Sequence, residues 1–252
     1  MTKRKLTKWD YVLIIVPIIG WAGNFAIRPH VMETACDVEH GGCDRSEVVW
    51  FDAGVIDYGT YAMGDHAHAA QNASGMLALT VPAAYSGAMV LTRAATPPAA
   101  LAAVGVDFVL FLEATLWNGF VNETVRNISQ RPRPFVYRDP DQFAGNVKNY
   151  TSFYSGHTSF SALSLTIVAL ALVARRARRL TVVATGIAGL GIITATGTFR
   201  VLAGRHFISD VIVGALAGIV IALVIAALHR SRGDSSVRTT EAASDDLQID
   251  RD

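Results

Sequence analysis

The sequence predicts an all-α integral membrane protein, a bundle of six transmembrane helices. Three observations carry this. Apolar residues make up 51% of the 252 residues and charged ones only 17%. The apolar residues gather in six blocks, at about 10–28, 73–92, 100–121, 158–174, 180–199 and 208–228, each near the roughly 20 residues that cross a hydrocarbon core as a helix. Lysine and arginine collect in alternate connections between these blocks, the pattern of the positive-inside bias. The chain therefore reads as one membrane domain, residues 1–230, followed by a tail, 231–252. The tail is rich in Ser, Thr and Asp, and its low apolar content predicts disorder.

The first block follows Lys3, Arg4, Lys5 and Lys8. It is longer than a signal-peptide core and no small-residue cleavage site follows it, so it is expected to remain as an anchor. Cys36 and Cys43 come next, with Gly41 and Gly42 between them to allow a turn, and a local disulfide is expected in an exported loop. Residues 46–70 mix Val48, Val49, Trp50, Phe51, Val55 and Ile56 with Asp52, Asp57 and Asp65. This mixture predicts an amphipathic helix lying on the membrane surface. Asp65, His66 and His68 are read as its solvated end rather than as a metal site. Asp107 and Glu113 lie inside the third block, where charge is costly and normally faces the bundle interior, and are read as structural. Asn72, Asn122, Asn127 and Asn149 head glycosylation-type triplets, which carry no weight at this density of chance matches.

With six spans, Lys3 to Lys8, Arg93, Arg175 to Arg179, and Arg230 with Arg232 all fall on one side, the cytoplasm. Both termini are then inside, and the loops 29–72, 122–157 and 200–207 face outward. The expected setting is the plasma membrane of a bacterium.

Three segments sit on those outward loops: Arg126-x6-Arg133-Pro134, Ser155-Gly156-His157, and Arg200-x5-His206-x3-Asp210. A phosphate ester carries up to two negative charges, and its transfer spreads charge over three equatorial oxygens. Arg126, Arg133 and Arg200 can hold such a group by paired hydrogen bonds without a metal ion. Ser155 and Gly156 precede the fourth block, where a helix N-terminus offers free N–H groups to an anion and glycine allows close approach. His206 and Asp210 are one helical turn apart, so they share a face. Asp210 is expected to accept the Nδ1–H of His206 and leave Nε2 free to attack phosphorus. His157 would protonate the departing oxygen and then activate water. Arg131, Arg138 and Arg205 fall outside the motif spacing. They are expected to snorkel or to pair with Glu123, Asp139 and Asp141.

These segments resemble the type 2 phosphatidic acid phosphatase superfamily, whose pattern is Lys-x6-Arg-Pro, then Pro-Ser-Gly-His, then Ser-Arg-x5-His-x3-Asp. Arg126 stands at the Lys position, where it keeps the charge but changes the fork geometry; Tyr154 stands at the first Pro and Phe199 at the Ser, departures that bear on substrate identity more than on chemistry. The resemblance implies a six-span bundle and a phosphohistidine formed on His206, with Asp210 as its partner and His157 as acid and base. Arg126, Arg133, Ser155, Gly156 and Arg200 would cradle the phosphate. It implies a lipid phosphate or diphosphate as substrate: polyprenyl diphosphate, phosphatidylglycerophosphate, phosphatidic acid or a lipid A-type glycolipid. The bilayer is the expected partner; no cofactor, metal or nucleic acid is expected, and the motifs carry no information on oligomeric state. Three rivals stand beside this reading. A lipid phosphotransferase would pass the phosphoryl group to a hydroxyl, and a transporter or anion-binding protein would use the basic patch without chemistry. A vanadium haloperoxidase, from a soluble branch of the same superfamily, is opposed by the membrane spans.

Overall fold

The computed structural model describes residues 8–34, 36, 43–57 and 63–249; Lys3, Arg4 and Lys5 lie outside them, as do the last three residues of the tail. Six long helices dominate: α1 (Lys8–Val31), α3 (Met63–Leu91), α4 (Pro97–Ser129), α7 (Gly156–Ala174), α8 (Arg179–Leu202) and α9 (Ile208–Ile249). Three short ones fill the connections at one end: α2 (Trp50–Ala53), α5 (Pro134–Arg138) and α6 (Pro140–Phe143). No strand occurs among the described residues. All six long helices are long and apolar enough to cross a membrane, and their positions are those of the six predicted blocks. In hydrocarbon every backbone N–H and C=O must be satisfied within its own segment, which is why apolar runs of this length become helices. Their outer faces are apolar, with Ile15, Ile18 and Ile19 on α1, Ile187 and Leu190 on α8, and Leu216 and Val220 on α9 all exposed. Water would not tolerate so much apolar surface, whereas lipid does. The protein is an integral membrane protein.

The centre of the bundle is α7, which packs against α3, α4, α8 and α9. Its inward positions are small or hydroxylic, with Ser159, Ser161, Ala162 and Ser164 all buried. Small side chains let membrane helices approach closely, and hydroxyls then bond across them. Ser161 Oγ lies 3.3 Å from Ser74 Oγ on α3 and 3.2 Å from Thr196 Oγ1 on α8. On α9 the approach is tighter still: a Cβ on Gly214 would meet Ser155 O at 2.6 Å, and one on Gly218 would meet Ser159 O at 2.0 Å. Glycine at these two positions sets α9 directly on the backbone of α7. That contact holds the beginnings of α7 and α9 side by side, with Ser155 N donating to Asp210 O at 3.0 Å.

On the other side, α1 packs on α4 through a polar ladder. Asn24 Nδ2 donates to Thr124 Oγ1 at 2.9 Å, and Asn127 Nδ2 donates to Asn24 O at 3.0 Å. Asn122 and Asn127 are thus buried in helix contacts, not glycosylation acceptors. The α4 helix stops where Gln130 takes a left-handed conformation. The Gln130 side chain then clamps the end of α1, accepting from Glu33 N at 2.8 Å and donating to Val31 O at 2.9 Å. Asp107 and Glu113 are buried in the bundle with polar partners: Arg175 Nη2 donates to Asp107 Oδ2 at 2.5 Å, and His229 Nε2 lies 2.6 Å from Glu113 Oε2.

Two expectations change. Residues 46–70 do not form one surface helix. A 3₁₀ turn at Arg45–Glu47 and the four residues of α2 are followed by turns, residues 58–62 lie outside the described set, and α3 begins at Met63. The reason is Asp52, which is fully buried and draws the segment inward beneath the helix ends. Val55 and Ile56 accompany it into a cluster with Phe207. The tail also differs: α9 continues as helix to Ile249, past residue 231 where composition predicts disorder. An established helix propagates by one hydrogen bond per added residue, so the apolar part of α9 nucleates the polar part beyond it. Cys36 and Cys43 form the expected disulfide, and Cys36 joins Met32, Phe135, Val136, Ala144 and Tyr150 in a cluster over α5 and α6.

Gly218→Ala should force α7 and α9 apart at a cost of about 1–3 kcal/mol, the usual range for overpacking. A lower melting temperature in detergent than wild type checks this. Gly105→Ala, where a Cβ meets nothing within 4 Å, should leave melting unchanged or slightly raised.

Candidate active site

All three motif segments meet at one end of the bundle. Arg126 comes from the last turn of α4, Arg133 from the lead into α5, Ser155 to His157 from the start of α7, Arg200 from the last turn of α8, and His206 to Asp210 from the α8–α9 connection and first turn of α9. The loop 130–155 is folded back on itself so that residues 131–133 run beside 149–152. Arg133 N donates to Asn149 O at 2.9 Å and Ser152 N donates to Arg131 O at 3.0 Å.

That pairing delivers the carbonyl of Ser152 to His206, which is fully buried. His206 Nδ1 lies 2.7 Å from Ser152 O. A carbonyl can only accept, so Nδ1 carries the hydrogen and Nε2 presents a bare lone pair. Nε2 has no hydrogen-bond partner among the described residues. The tautomer is the one expected, but the device differs. The spacing predicts Asp210 as acceptor; instead Asp210 Oδ2 stands 3.6 Å from Nδ1, too far for a hydrogen bond.

Asp210 acts one step away. Its Oδ2 accepts from Ser152 Oγ at 2.5 Å and from Phe207 N at 2.9 Å, and so fixes both the segment that offers the carbonyl and the chain beside His206. Its Oδ1 accepts from Arg131 Nη1 at 2.6 Å. Arg131 also donates to Ser209 Oγ at 2.7 Å and, through Nη2, to Asp52 Oδ2 at 2.9 Å, with its guanidinium 4.1 Å above the Phe207 ring. Asp52 in turn accepts from Ser209 N at 3.0 Å and Ser209 Oγ at 2.5 Å. A carboxylate near free N–H groups at a helix start is stabilised there. Arg131 therefore does not snorkel or pair with Glu123 or Asp139, as its place outside the motif suggests; it ties Asp52 to Asp210. Arg138 does pair with Asp139, at 2.8 Å, while Arg205 lies over the Phe135 ring.

The remaining cations surround His206. Arg126 Nη1 donates to Glu123 Oε1 at 2.8 Å, and Glu123 is held on its other oxygen by Arg28. Arg28 Nε donates to Asn127 Oδ1 at 3.0 Å, so α1 braces Arg126 from behind. Arg133 donates to Arg205 O at 3.1 Å and to Thr151 Oγ1 at 3.1 Å. Arg200 is buried at 6% exposure, and neither its Nε nor that of Arg126 has a hydrogen-bond partner among the described residues. Burial first, then the fields of Arg200, Arg133 and Arg126, push the His206 pKa well below the ordinary histidine range.

At Gly156 a Cβ would meet Asn122 Oδ1 at 2.8 Å and Arg126 Nη2 at 3.1 Å, so glycine is what lets α4 bring its polar atoms against the start of α7. Asn122 uses this closeness to donate to Tyr154 O at 2.9 Å. Ser155 is not free to offer its hydroxyl outright: it is buried, its Oγ lies 2.9 Å from Thr158 Oγ1, and it caps α7 by accepting from Thr158 N. Capping takes one orphan donor of the first turn and leaves the N–H groups before it to an anion. Tyr154 stands beside Arg126 with its hydroxyl buried and without a partner among the described residues; burial pushes its pKa up to about 12, so it remains a neutral donor. His157 Nε2 lies 3.0 Å from His68 Nδ1, and Phe199 packs against His66. Among the described residues no group of three or more His, Cys, Asp or Glu could hold a metal ion.

A family model, the PAP2 superfamily, matches residues 107–234, a stretch that contains every motif residue above. The chain belongs to the PAP2 superfamily. Neither the curated proteins nor the solved structures provide a match to it. Family membership and the six-helix architecture agree with the likeness carried by the motifs, and they give this protein the superfamily's phosphatase-type fold.

Sequence reasoning passed over four contributors. Ser152 acts through its backbone, which no side-chain pattern reports. Asp52 and Arg131 are separated by 78 intervening residues and only the fold joins them. His68 lies in a stretch whose composition suggests a solvated helix end. Of these, Arg131 had a signal: a positive charge between two motif positions on the side where such charge is scarce.

Arg131→Ala leaves the buried carboxylates of Asp52 and Asp210 without their cation and should cost about 3–5 kcal/mol, read as a fall in melting temperature together with lost activity. Arg131→Lys should recover little of this, since one ammonium cannot fork between two carboxylates. The lowered His206 pKa gives a pH prediction. Its stabilising share is complete above the unfolded-state value near 6.5 and is lost progressively as pH falls below it. Melting temperature should therefore drop from pH 7.5 to 5, and His206→Asn should remove part of that slope.

Proposed function

We propose that this protein is a membrane phosphatase that removes phosphate from a lipid phosphate or diphosphate through a phosphohistidine on His206. The observation that carries the reading is His206 itself: buried, its Nδ1–H committed to Ser152 O, its Nε2 unpartnered among Arg126, Arg133 and Arg200. A nucleophile next to three cations suits a phosphate better than any neutral substrate.

The chemistry proceeds in two steps. The guanidiniums of Arg126, Arg133 and Arg200 and the first-turn N–H groups of α7 take the phosphate oxygens. His206 Nε2 attacks phosphorus, the bond to the lipid oxygen breaks, and His157 gives that oxygen its proton. Water then attacks the phosphohistidine while His157 takes a proton back; the P–N bond breaks, and inorganic phosphate and free His206 result. The arginines neutralise the developing charge, a role that a metal ion fills in other phosphoryl-transfer sites, so the reaction proceeds without one. Asp210 holds Ser152 and the chain at Phe207 so that Nε2 keeps its line of attack.

Position supports a lipid substrate. The site lies at one end of six membrane-crossing helices, where a head group can enter while its tail stays in the bilayer. Trp50 is 86% exposed at the same end, as aromatic side chains at the head-group level often are. The basic connections Arg93 and Arg175 to Arg179 lie at the opposite end, which supports a cytoplasmic location for them and an outward-facing site in a plasma membrane.

Purified protein in detergent with EDTA should release free phosphate from lipid phosphates, and His206→Ala should abolish this. Turnover that depends on magnesium would overturn the mechanism. Orthovanadate, a phosphate mimic, should inhibit. Labels at residues 145 and 177 should be reachable from opposite sides of the membrane, and access from one side to both would overturn the orientation.

A further inference from the structure

His68 lies near the start of α3 and reaches the first turn of α7, the central helix. Its Nδ1 is 3.0 Å from His157 Nε2, and the two rings meet edge to face with centroids 4.4 Å apart and planes at 72°. Two imidazole lone pairs at that separation repel, so one nitrogen carries a hydrogen and donates to the other.

We propose that His68 is the positioning residue of His157: its neutral Nδ1 accepts the Nε2–H of His157, which fixes that ring's orientation and tautomer and leaves Nδ1 of His157 as the proton-transfer atom. The proposal rests on the phosphatase reading, in which His157 is the acid and base.

The proton count is consistent. As acid, His157 carries hydrogens on both nitrogens, one donated to His68 and one to the departing lipid oxygen. Once Nδ1 has lost its proton to that oxygen, the Nε2–H of His157 stays donated to His68 and Nδ1 becomes the acceptor for the proton of the attacking water. The cycle closes with no proton passing through His68. His157 and His206 are then held in the same manner, each by a neutral acceptor rather than a carboxylate, Ser152 O for one and His68 for the other.

Charge explains why the acceptor is neutral. The guanidiniums of Arg200 and Arg126 both act on His157. A carboxylate in place of His68 would be drawn to those arginines and would compete with the substrate's phosphate for them. An imidazole gives the hydrogen bond without the negative charge. His68 is exposed, and His66, two residues before it, is packed on Phe199.

The test compares the full-length protein with His68→Ala and His68→Asn in detergent, on dodecyl phosphate and on 4-nitrophenyl phosphate. An alkoxide needs a proton in order to leave, and nitrophenolate does not. His68→Ala should lower kcat/KM on dodecyl phosphate about 10- to 100-fold and on 4-nitrophenyl phosphate less than about threefold. In His68→Asn the amide oxygen can stand where Nδ1 stood, so both values should remain within about threefold of wild type. Inhibition by orthovanadate, which reads the integrity of the phosphate pocket, should be unchanged in both variants. Equal losses on the two substrates would overturn the proposal. So would an Asn variant as impaired as Ala, no loss on the alkyl substrate, or weakened vanadate inhibition, which would make His68 a packing residue. Wild-type turnover that survives His206→Ala would sink the phosphatase reading itself, and the role of His68 with it.

Discussion

The buried ion cluster of Asp52, Arg131 and Asp210 is the constraint on which the rest of the site depends. One guanidinium spans two carboxylates that are both removed from solvent. Each carboxylate would be costly alone at this depth, and Arg131 satisfies both, with added donors from Ser152, Ser209 and the chain at Phe207. The cluster joins three regions distant in sequence: the loop before α3, the loop after α4, and the start of α9. Because Asp210 is locked by it, Ser152 is locked too, and the Ser152 carbonyl then sets the tautomer of His206.

The helix packing beneath serves the same end. Gly214 and Gly218 bring α9 onto the backbone of α7, so the two helix starts that bear His157 and Asp210 are held by rigid elements rather than by loops. The polar ladder from Asn24 to Asn127 does the corresponding work for Arg126, through Arg28 and Glu123. Fixed donors and cations stabilise developing charge without reorganisation at the moment of reaction, and this is the general physical reason for bracing a reactive site so heavily.

Much of this was legible in the sequence. Helix formation in a bilayer is dictated locally, since apolar residues in sufficient number leave the backbone no other way to satisfy its hydrogen bonds. The six helices therefore lie where the apolar blocks lie. The motif residues converge because short spacings survive folding: His206 lies just before α9 and Asp210 in its first turn, and Ser155 to His157 start a helix. Less legible were the acceptor of the His206 hydrogen and the path of residues 46–57. Both depend on a contact between Asp52 and Arg131 that no local pattern encodes. A mixture of apolar and acidic residues suits a surface helix and a buried turn equally well, until the partner of the acid is known.

What the sequence by itself determined is thus the helical bundle, its membrane character and the list of reactive groups, because each derives from composition and from spacings within a few turns. Only the tertiary structure decided how those groups are aimed. It made Ser152 the acceptor of the His206 hydrogen, Arg131 the tie between two acids, and His68 the neighbour of His157. Hydrogen bonds act over about 3 Å, and which atoms come that close between residues far apart in the chain is settled by packing and not by sequence order.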